Sequence, residues 1–549
     1  MTLSTTTPVI APQTDAGPGR WAAGQLLCFS GLVGPTDYTH GLVARTADEG
    51  GVLNFCLPTA GRLILSSCGC PSIEVGGDFF VVYCEQGRRE GLFLDAHHLL
   101  IKGEARVQGE GYRSATAGGY TLVGVAAFFD ADLLSPARCE QAMREHWDRS
   151  AWLRDRALPG VAASEAAALD KALLMIRTQV MSAEGGIARR WSTPDRWPHR
   201  KMWLWDSVFH AIGWRHVDLT LAQEVLEAVF DVQRDDGFIP HMASPFEASE
   251  ITQPPVMAYG VWKLLEQGAP LAWAEALLPR LVAYLDWNKA HRDTDGNGLL
   301  EWFIEADENC RSGESGMDNS PRFDEATQLD AVDLNAFMAN EYRCLARIAD
   351  RLGLADQQER FTREQARFNE LINRYGWNPE TGFYHDFDPI AGVQTPVLTS
   401  AGFLPLLSGA ASPQQAQRLV DHLSDPETFG TAFPIASVSR GSRQGHDKDM
   451  WRGPTWININ WLVAEALEDY GFNDQAEGLR RQTRAMLTKY HDRFGTFFEF
   501  YDEDDVIAPP KLPRKGRNAP EASPMHQVIY EFGWSASLFI DLIYRDTAR

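Results

Sequence analysis

The segment Glu314-Ser315-Gly316-Met317-Asp318-Asn319-Ser320-Pro321-Arg322 sets two carboxylates and an arginine on a short Gly/Ser/Pro-rich stretch between two long helical patterns. Breaker residues of this kind hold a side chain on backbone turns, where it is rigid and can meet a ligand. Asp318 is the candidate acid. A second carboxylate, Glu499, falls inside the aromatic run Phe497-Phe498-Glu499-Phe500-Tyr501-Asp502. Apolar surroundings disfavour the charged form of a carboxyl group, so aromatic neighbours are a means of tuning its pKa. Two carboxylates in such settings point to the acid and base of glycosidic bond cleavage.

Three further polar-aromatic clusters fall at predicted helix starts. In Trp203-Leu204-Trp205-Asp206-Ser207 an aspartate is flanked by tryptophans, although a first-turn aspartate is also a common helix cap worth about 1 kcal/mol. Gln253-Pro254-Pro255 offers an amide suited to sugar hydroxyls. Trp451-Arg452-Gly453-Pro454-Thr455-Trp456 introduces an apolar helix with a cation and two indoles.

The elements that must position these residues are of two kinds. From about Trp21 to Phe129 the pattern is short and β-like, with Phe79–Tyr83, His98–Ile101 and Tyr120–Val125 separated by Gly-rich turns, which predicts an antiparallel sandwich. Beyond the breaker Leu158-Pro159-Gly160, apolar periodicity predicts about twelve helices. They run over Ser164–Met181, Trp203–Val217, Leu221–Arg234, Pro254–Gly268, Ala272–Arg292, Asp330–Gly353, Ala355–Trp377, Leu398–Gly409, Pro413–Asp425, Thr455–Gly471, Asp474–Phe494 and Gly533–Arg549. Asp474–Phe494 is amphipathic, as an outer helix should be, whereas Thr455–Gly471 is apolar nearly all round and should be buried. Alternation of the two kinds predicts a mainly α chain in which an (α/α)6 barrel, a toroid with its pocket among the interhelix loops, follows the β-sandwich. The expected layout is a disordered leader over 1–20, a β-rich domain over 21–135, a linker helix over 136–160 and the barrel over 161–549.

A formal charge of −23 over 549 residues repels phosphate backbones and anionic membrane surfaces, so neither nucleic acid nor membrane is an expected partner. A small carbohydrate fits better, and the seventeen tryptophans supply the flat apolar faces that sugars favour. The eight cysteines show no Cys-x-x-Cys pair and no histidines at zinc spacing, and His210 and His241 have no second histidine at ligand spacing. Reduced thiols, the lack of an apolar leader in residues 1–20 and the lack of a spanning run predict a cytoplasmic protein. Asp293-x-Asp295-x-Asn297-Gly298 has the start of a calcium loop, but Ile304 stands where the bidentate acid belongs, so a Gly/Asn-rich turn is the expectation.

In their order along the chain these clusters resemble the α/α-barrel glycoside hydrolases of family 63, in particular the bacterial mannosylglycerate and glucosylglycerate hydrolases, with a more distant likeness to trehalases. The residues that carry the resemblance are WLWDSVFHAIG from Trp203, TQPP from Thr252, DTDGNGLLEW from Asp293, ESGMDNSPR from Glu314, WRGPTWININW from Trp451, FFEFYD from Phe497 and GWSASLFIDL from Gly533. The resemblance implies that Asp318 is the general acid and Glu499 the general base of an inverting hydrolysis that releases α-linked glucose or mannose. It implies a sugar subsite at Trp205, Asp206, Gln253, Trp451, Arg452 and Trp456, and no cofactor. On this reading the acid needs a raised pKa, with burial among Phe and Trp as the means.

Glu314 is expected to be a structural partner of Arg322. The stretch Asp502 to Gln527 is longer than the resemblance suggests and holds Lys511, Arg514, Lys515 and Arg517, which could either attract an anionic aglycone or balance Glu503, Asp504 and Asp505. Two other classes stay open at this point: an α/α-barrel isomerase or epimerase using His210 and His241 as proton carriers, and a noncatalytic carbohydrate-binding protein.

Overall fold

A computed structural model describes residues 23–547 apart from 59–60, 67–71, 85–86, 155–157, 159, 443–444 and 517–526. The expected leader over 1–20, and Arg517, lie outside the described residues. The chain divides into two compact units, one of residues 1–202, 487–498 and 529–549 and the other of residues 203–486 and 499–528.

The first unit opens with eleven strands: β1 (Leu26–Cys28), β2 (Val43–Thr46), β3 (Val52–Leu57), β4 (Gly61–Leu65), β5 (Ser72–Val75), β6 (Phe79–Cys84), β7 (Gly87–Asp95), β8 (His98–Lys102), β9 (Ala105–Gln108), β10 (Tyr112–Ala117) and β11 (Tyr120–Val125). They form two antiparallel sheets, in the orders β1-β2-β3-β4-β9 and β10-β11-β8-β7-β6-β5. Alternate residues of a strand share a face. Thus Leu53 and Phe55, Leu63 and Leu65, Phe80 and Val82, Leu99 and Ile101, and Val123 and Val125 all enter one core shared by both sheets. The residues between them, Phe79, Val81, Leu100 and Leu122, bury the other face of the second sheet under Cys139 and Met143 of α1 (Pro136–Arg154). Burial on both faces is why the run Phe79–Val82 is apolar at every position. In the same unit α2 (Ala163–Thr178) packs against the last helix of the chain, Gly533–Thr547.

The second unit is helical: α3 (Leu204–Trp214), α4 (Leu219–Asp231), α5 (Met257–Glu266), α6 (Leu271–His291), α7 (Val332–Arg351), α8 (Ala355–Leu371), α9 (Pro405–Ser408), α10 (Pro413–Ser424), α11 (Ile457–Asp469) and the start of α12 (Asn473–Phe494); the last helix is then α13. The odd-numbered helices α3, α5, α7, α9 and α11 pack one on the next, and α4, α6 and α8 lie along α3, α5 and α7. Burial follows the same division, since every residue of α3 is buried while α8 buries only Phe361 and Phe368. One helix is capped by another. No side chain caps α5 at its own N-cap Val256, and Glu341 of α7 instead accepts from the first-turn N–H groups of Ala258 (2.7 Å) and Tyr259 (2.8 Å). Burial pushes this carboxyl up to about 7.

Each expected helical segment has a helix. The weakest is Leu398–Gly409, which is a 3-10 turn at Ser400–Phe403 followed by the single turn α9. A Cβ on Gly402 would lie 2.3 Å from the Phe383 ring, so only glycine lets this turn pack so closely on that ring.

Candidate active site

The loop that carries Asp318 is fixed from below by Gly316, which adopts φ 67° and would place a Cβ 2.3 Å from the Trp205 ring. Glycine alone accepts both that backbone and that approach. Trp205, in the first turn of α3, in turn donates its backbone N–H to Gln253 Oε1 (3.1 Å). Glu314 is sealed in the interior, where it takes the Arg292 fork and the N–H groups of Thr252 and Phe303, each at 3.1 Å. The expected partnership of Glu314 with Arg322 is therefore corrected. Arg322 instead lies buried between Asp333 and Asp386, and Asp333 also receives Trp302 Nε1. Glu314 pins the Arg292, Thr252 and Phe303 segments together as a fully satisfied buried charge.

Asn319 ties this loop to the next. Its Oδ1 accepts from Trp451 N (3.0 Å), its Nδ2 donates to Asp449 O (3.3 Å), and its carbonyl accepts from Arg452 Nη1 (3.0 Å). Trp451 then stacks on Trp456 with centroids 3.9 Å apart and rings 5° from parallel. Trp456 lies against Phe500 at 5.0 Å, and Thr455 exchanges backbone hydrogen bonds with Tyr501 (2.7 and 3.1 Å). These contacts run unbroken from Asn319, next to Asp318, to Phe500, next to Glu499.

The two carboxylates are paired by consecutive residues. Arg514 forks onto Glu499 through Nε (2.7 Å) and Nη2 (2.9 Å), with Glu499 only 4% exposed. Lys515 Nζ meets Asp318 Oδ2 at 2.8 Å, and the Asp318 side chain keeps 19% of its surface open. Burial raises the Asp318 pKa, but the Lys515 charge and hydrogen bond, the Arg514 charge and the Cys310 thiol together outweigh it and hold the carboxyl below the usual range. The expectation of an acid raised by aromatic burial is thus corrected. Its cause is a pair of cations that the aromatic context of the sequence does not reveal.

Trp205, Asp206, Gln253, Trp451 and Trp456 are all buried; Trp205, Trp451 and Trp456 have the contacts just described to the loops carrying the two carboxylates, and Gln253 reaches them through Trp205. Asp206 lies in the first turn of α3. Arg452 forks onto Asp324 (2.8 and 2.6 Å). With Asn319, Asp449 and Gly516 it lines a polar cleft of about 660 Å³. Sequence reasoning missed Asn319, Asp449 and Cys310; Asn319 stands in the segment already singled out, but an uncharged amide carries no sign of the Trp451 and Asp449 backbone groups it meets in a distant loop.

Of the other sequence features, His210 is sealed and neither ring nitrogen has a partner among the described residues, and burial lowers its pKa to about 3. A neutral, enclosed imidazole is a poor proton carrier. His241 bonds to Ser249 Oγ through Nδ1 (2.6 Å). In the Asp293 loop, Asn297 donates to Asp295 (3.0 Å) and Asp330 (2.8 Å), and Glu301 gathers with these two acids. Among the described residues Lys448 holds both Glu503 and Asp504, joined by His446 and Arg440.

Two carboxylates on interhelix loops, beside stacked indoles, are the kind of setting in which glycosidic bonds are cleaved. Residues 199–506, more than half of the chain, match the model of the mannosylglycerate hydrolase MGH1-like glycoside hydrolase domain. The chain belongs to that family. It is 30% identical over 382 residues to the mannosylglycerate hydrolase of Thermus thermophilus, covering 55% of this chain and 88% of the relative. It is also similar to the structure of a family 63 mannosylglycerate hydrolase from Thermus thermophilus in complex with Tris and D-glycerate, with 26% identity, TM-score 0.56, and 68% of this chain and 99% of that one covered. A bacterial glucoamylase complexed with acarbose, 10% identical, shares the fold over 98% of this chain and 96% of its own with TM-score 0.57.

Proposed function

We propose that this hydrolase releases a terminal α-linked glucose or mannose from a small glycoside, such as a glucosylglycerate or a short α-gluco-oligosaccharide, by a single displacement with inversion. Asp318 is the general acid and Glu499 the general base. The observation that supports the reading is the convergence of the two carboxylates on consecutive residues, Arg514 and Lys515, which brings them to one place. Asp318, with the more open side chain, gives its proton to the leaving oxygen as the C–O bond breaks. Glu499 takes a proton from the water that attacks the anomeric carbon from the opposite face. Inversion requires the two carboxyl groups to stand roughly 6.5–9.5 Å apart so that this water fits. Trp205, Trp451 and Trp456 wall the sugar subsite, Asp206 and Gln253 orient it, and Arg452 serves the adjoining cleft.

We further propose that residues 161–549 make up an (α/α)6 barrel after the β-rich domain of residues 21–135 and the linker helix of residues 136–160. The succession of odd-numbered helices and the family 63 and glucoamylase neighbours support it. A cytoplasmic site of action rests on the cysteines, five of which are free thiols among the described residues.

The test is a panel of α-glucosides and α-mannosides differing in linkage and acceptor, assayed with the parent and with Asp318→Asn. The amide keeps the shape but has no proton to give, so turnover should fall by about 10³-fold or more while binding persists. Activity within a few-fold of the parent would remove Asp318 from the acid role.

A further inference from the structure

Arg514 and Lys515 lie past the end of the family match at residue 506, yet they touch both proposed catalytic carboxylates. The two contacts differ in kind. Arg514 is buried and meets Glu499 edge-on through two nitrogens, a rigid fork that leaves other lone pairs of the carboxylate for a water. Lys515 reaches Asp318 with one ammonium on a flexible stem, and both side chains keep about a fifth of their surface open, at 22% and 19%. An ammonium at that position opposes the reaction. A general acid must carry its proton when the leaving oxygen arrives, and a cation at contact distance favours the ionised carboxylate.

We propose that Lys515 is a specificity-determining residue: its ammonium occupies Asp318 until an anionic group on the aglycone takes it, which frees Asp318 to bind the proton it delivers. This rests on the reading of Asp318 as the acid. The exchange balances. The substrate carboxylate replaces the Asp318 carboxylate on Lys515, and Asp318 takes one proton from solvent and passes it to the leaving oxygen. The water that adds to the sugar leaves its proton on Glu499, which returns it to solvent as Asp318 pairs again with Lys515. A neutral aglycone leaves Lys515 in place and meets an acid without a proton.

The test uses D-glycerate as the probe and needs no turnover. Calorimetry in two mildly acidic buffers of different ionisation enthalpy should find a net uptake of protons when glycerate binds the parent. Lys515→Met should bind glycerate at least about tenfold more weakly and take up none, Lys515→Arg should restore binding, and Asp318→Asn should bind more tightly than the parent without uptake. In kinetics with an α-glycosyl glycerate and the matching α-glycosyl glycerol, Lys515→Met should lose the preference for the anion. Its alkaline limb of kcat/KM should move to higher pH. Glycerate binding without proton uptake, uptake that persists in Asp318→Asn, or equal loss on both substrates with an unmoved alkaline limb overturns the proposal. Hydrolysis that survives in Asp318→Asn is a separate failure, that of the acid assignment itself.

Discussion

Asn319→Ala tests whether the hydrogen bonds between the two loops position the acid. The change removes the acceptor of the buried Trp451 N–H (3.0 Å) and the donor to Asp449 O (3.3 Å), while the backbone carbonyl that Arg452 uses remains. Leaving a buried N–H unpaired costs about 1–3 kcal/mol, and losing the longer bond about 0.5–1 kcal/mol more, so the variant should be about 2–4 kcal/mol less stable. Asp318 is the preceding residue, and a shift of about 1 Å at a reacting group can lower the rate by about 10²-fold. We expect kcat to fall by that order while KM changes by less than about threefold, because the sugar subsite keeps its walls. Steady-state hydrolysis and urea unfolding of the same preparation read both effects. A kcat within threefold of the parent together with an unchanged unfolding midpoint would refute the positioning role.

Two further outcomes follow from the same structure. Glu499→Gln should lose hydrolysis, and azide should restore part of the turnover as a β-glycosyl azide; near-normal hydrolysis without azide would assign the base elsewhere. Glu341 titrates at about 7 in the folded chain against an ordinary 4.5, so its protonated form is favoured by folding. Its contribution to stability is complete below pH 4.5 and is lost as pH rises through about 7, a change of roughly 3 kcal/mol. Glu341→Gln keeps an acceptor for the α5 N–H groups and should flatten that decline in pH-dependent unfolding, whereas an unchanged slope would contradict the argument.

The helices were legible because their periodicity is strong: α11 is apolar nearly all round and buried throughout its first eleven residues, and α12 is amphipathic as expected. The Leu398–Gly409 segment was legible as apolar and helical, but its composition does not show that it divides into a 3-10 turn and a single α turn. The two carboxylates were legible as motifs, but their electrostatics were not. Nothing in the order of residues says that Lys515 faces Asp318, or that Glu503 and Asp504 are already held by Lys448. Charge pairing between distant loops is a property of the fold, and it reversed the expected direction of the Asp318 pKa. The pairing of Glu314 went wrong for the same reason. Arg322 is near it in sequence, yet Arg292 is the cation that reaches it.

The central claim is a single displacement at the anomeric carbon, with Asp318 and Glu499 on opposite faces of the sugar. Proton NMR of the first product formed from an α-glycosyl glycerate, recorded before mutarotation, tests it most directly. The account predicts the β-anomer first, decaying to the equilibrium mixture. Appearance of the α-anomer first would require a covalent intermediate and a retaining mechanism, and would contradict the assignment of Glu499 as a base acting through water.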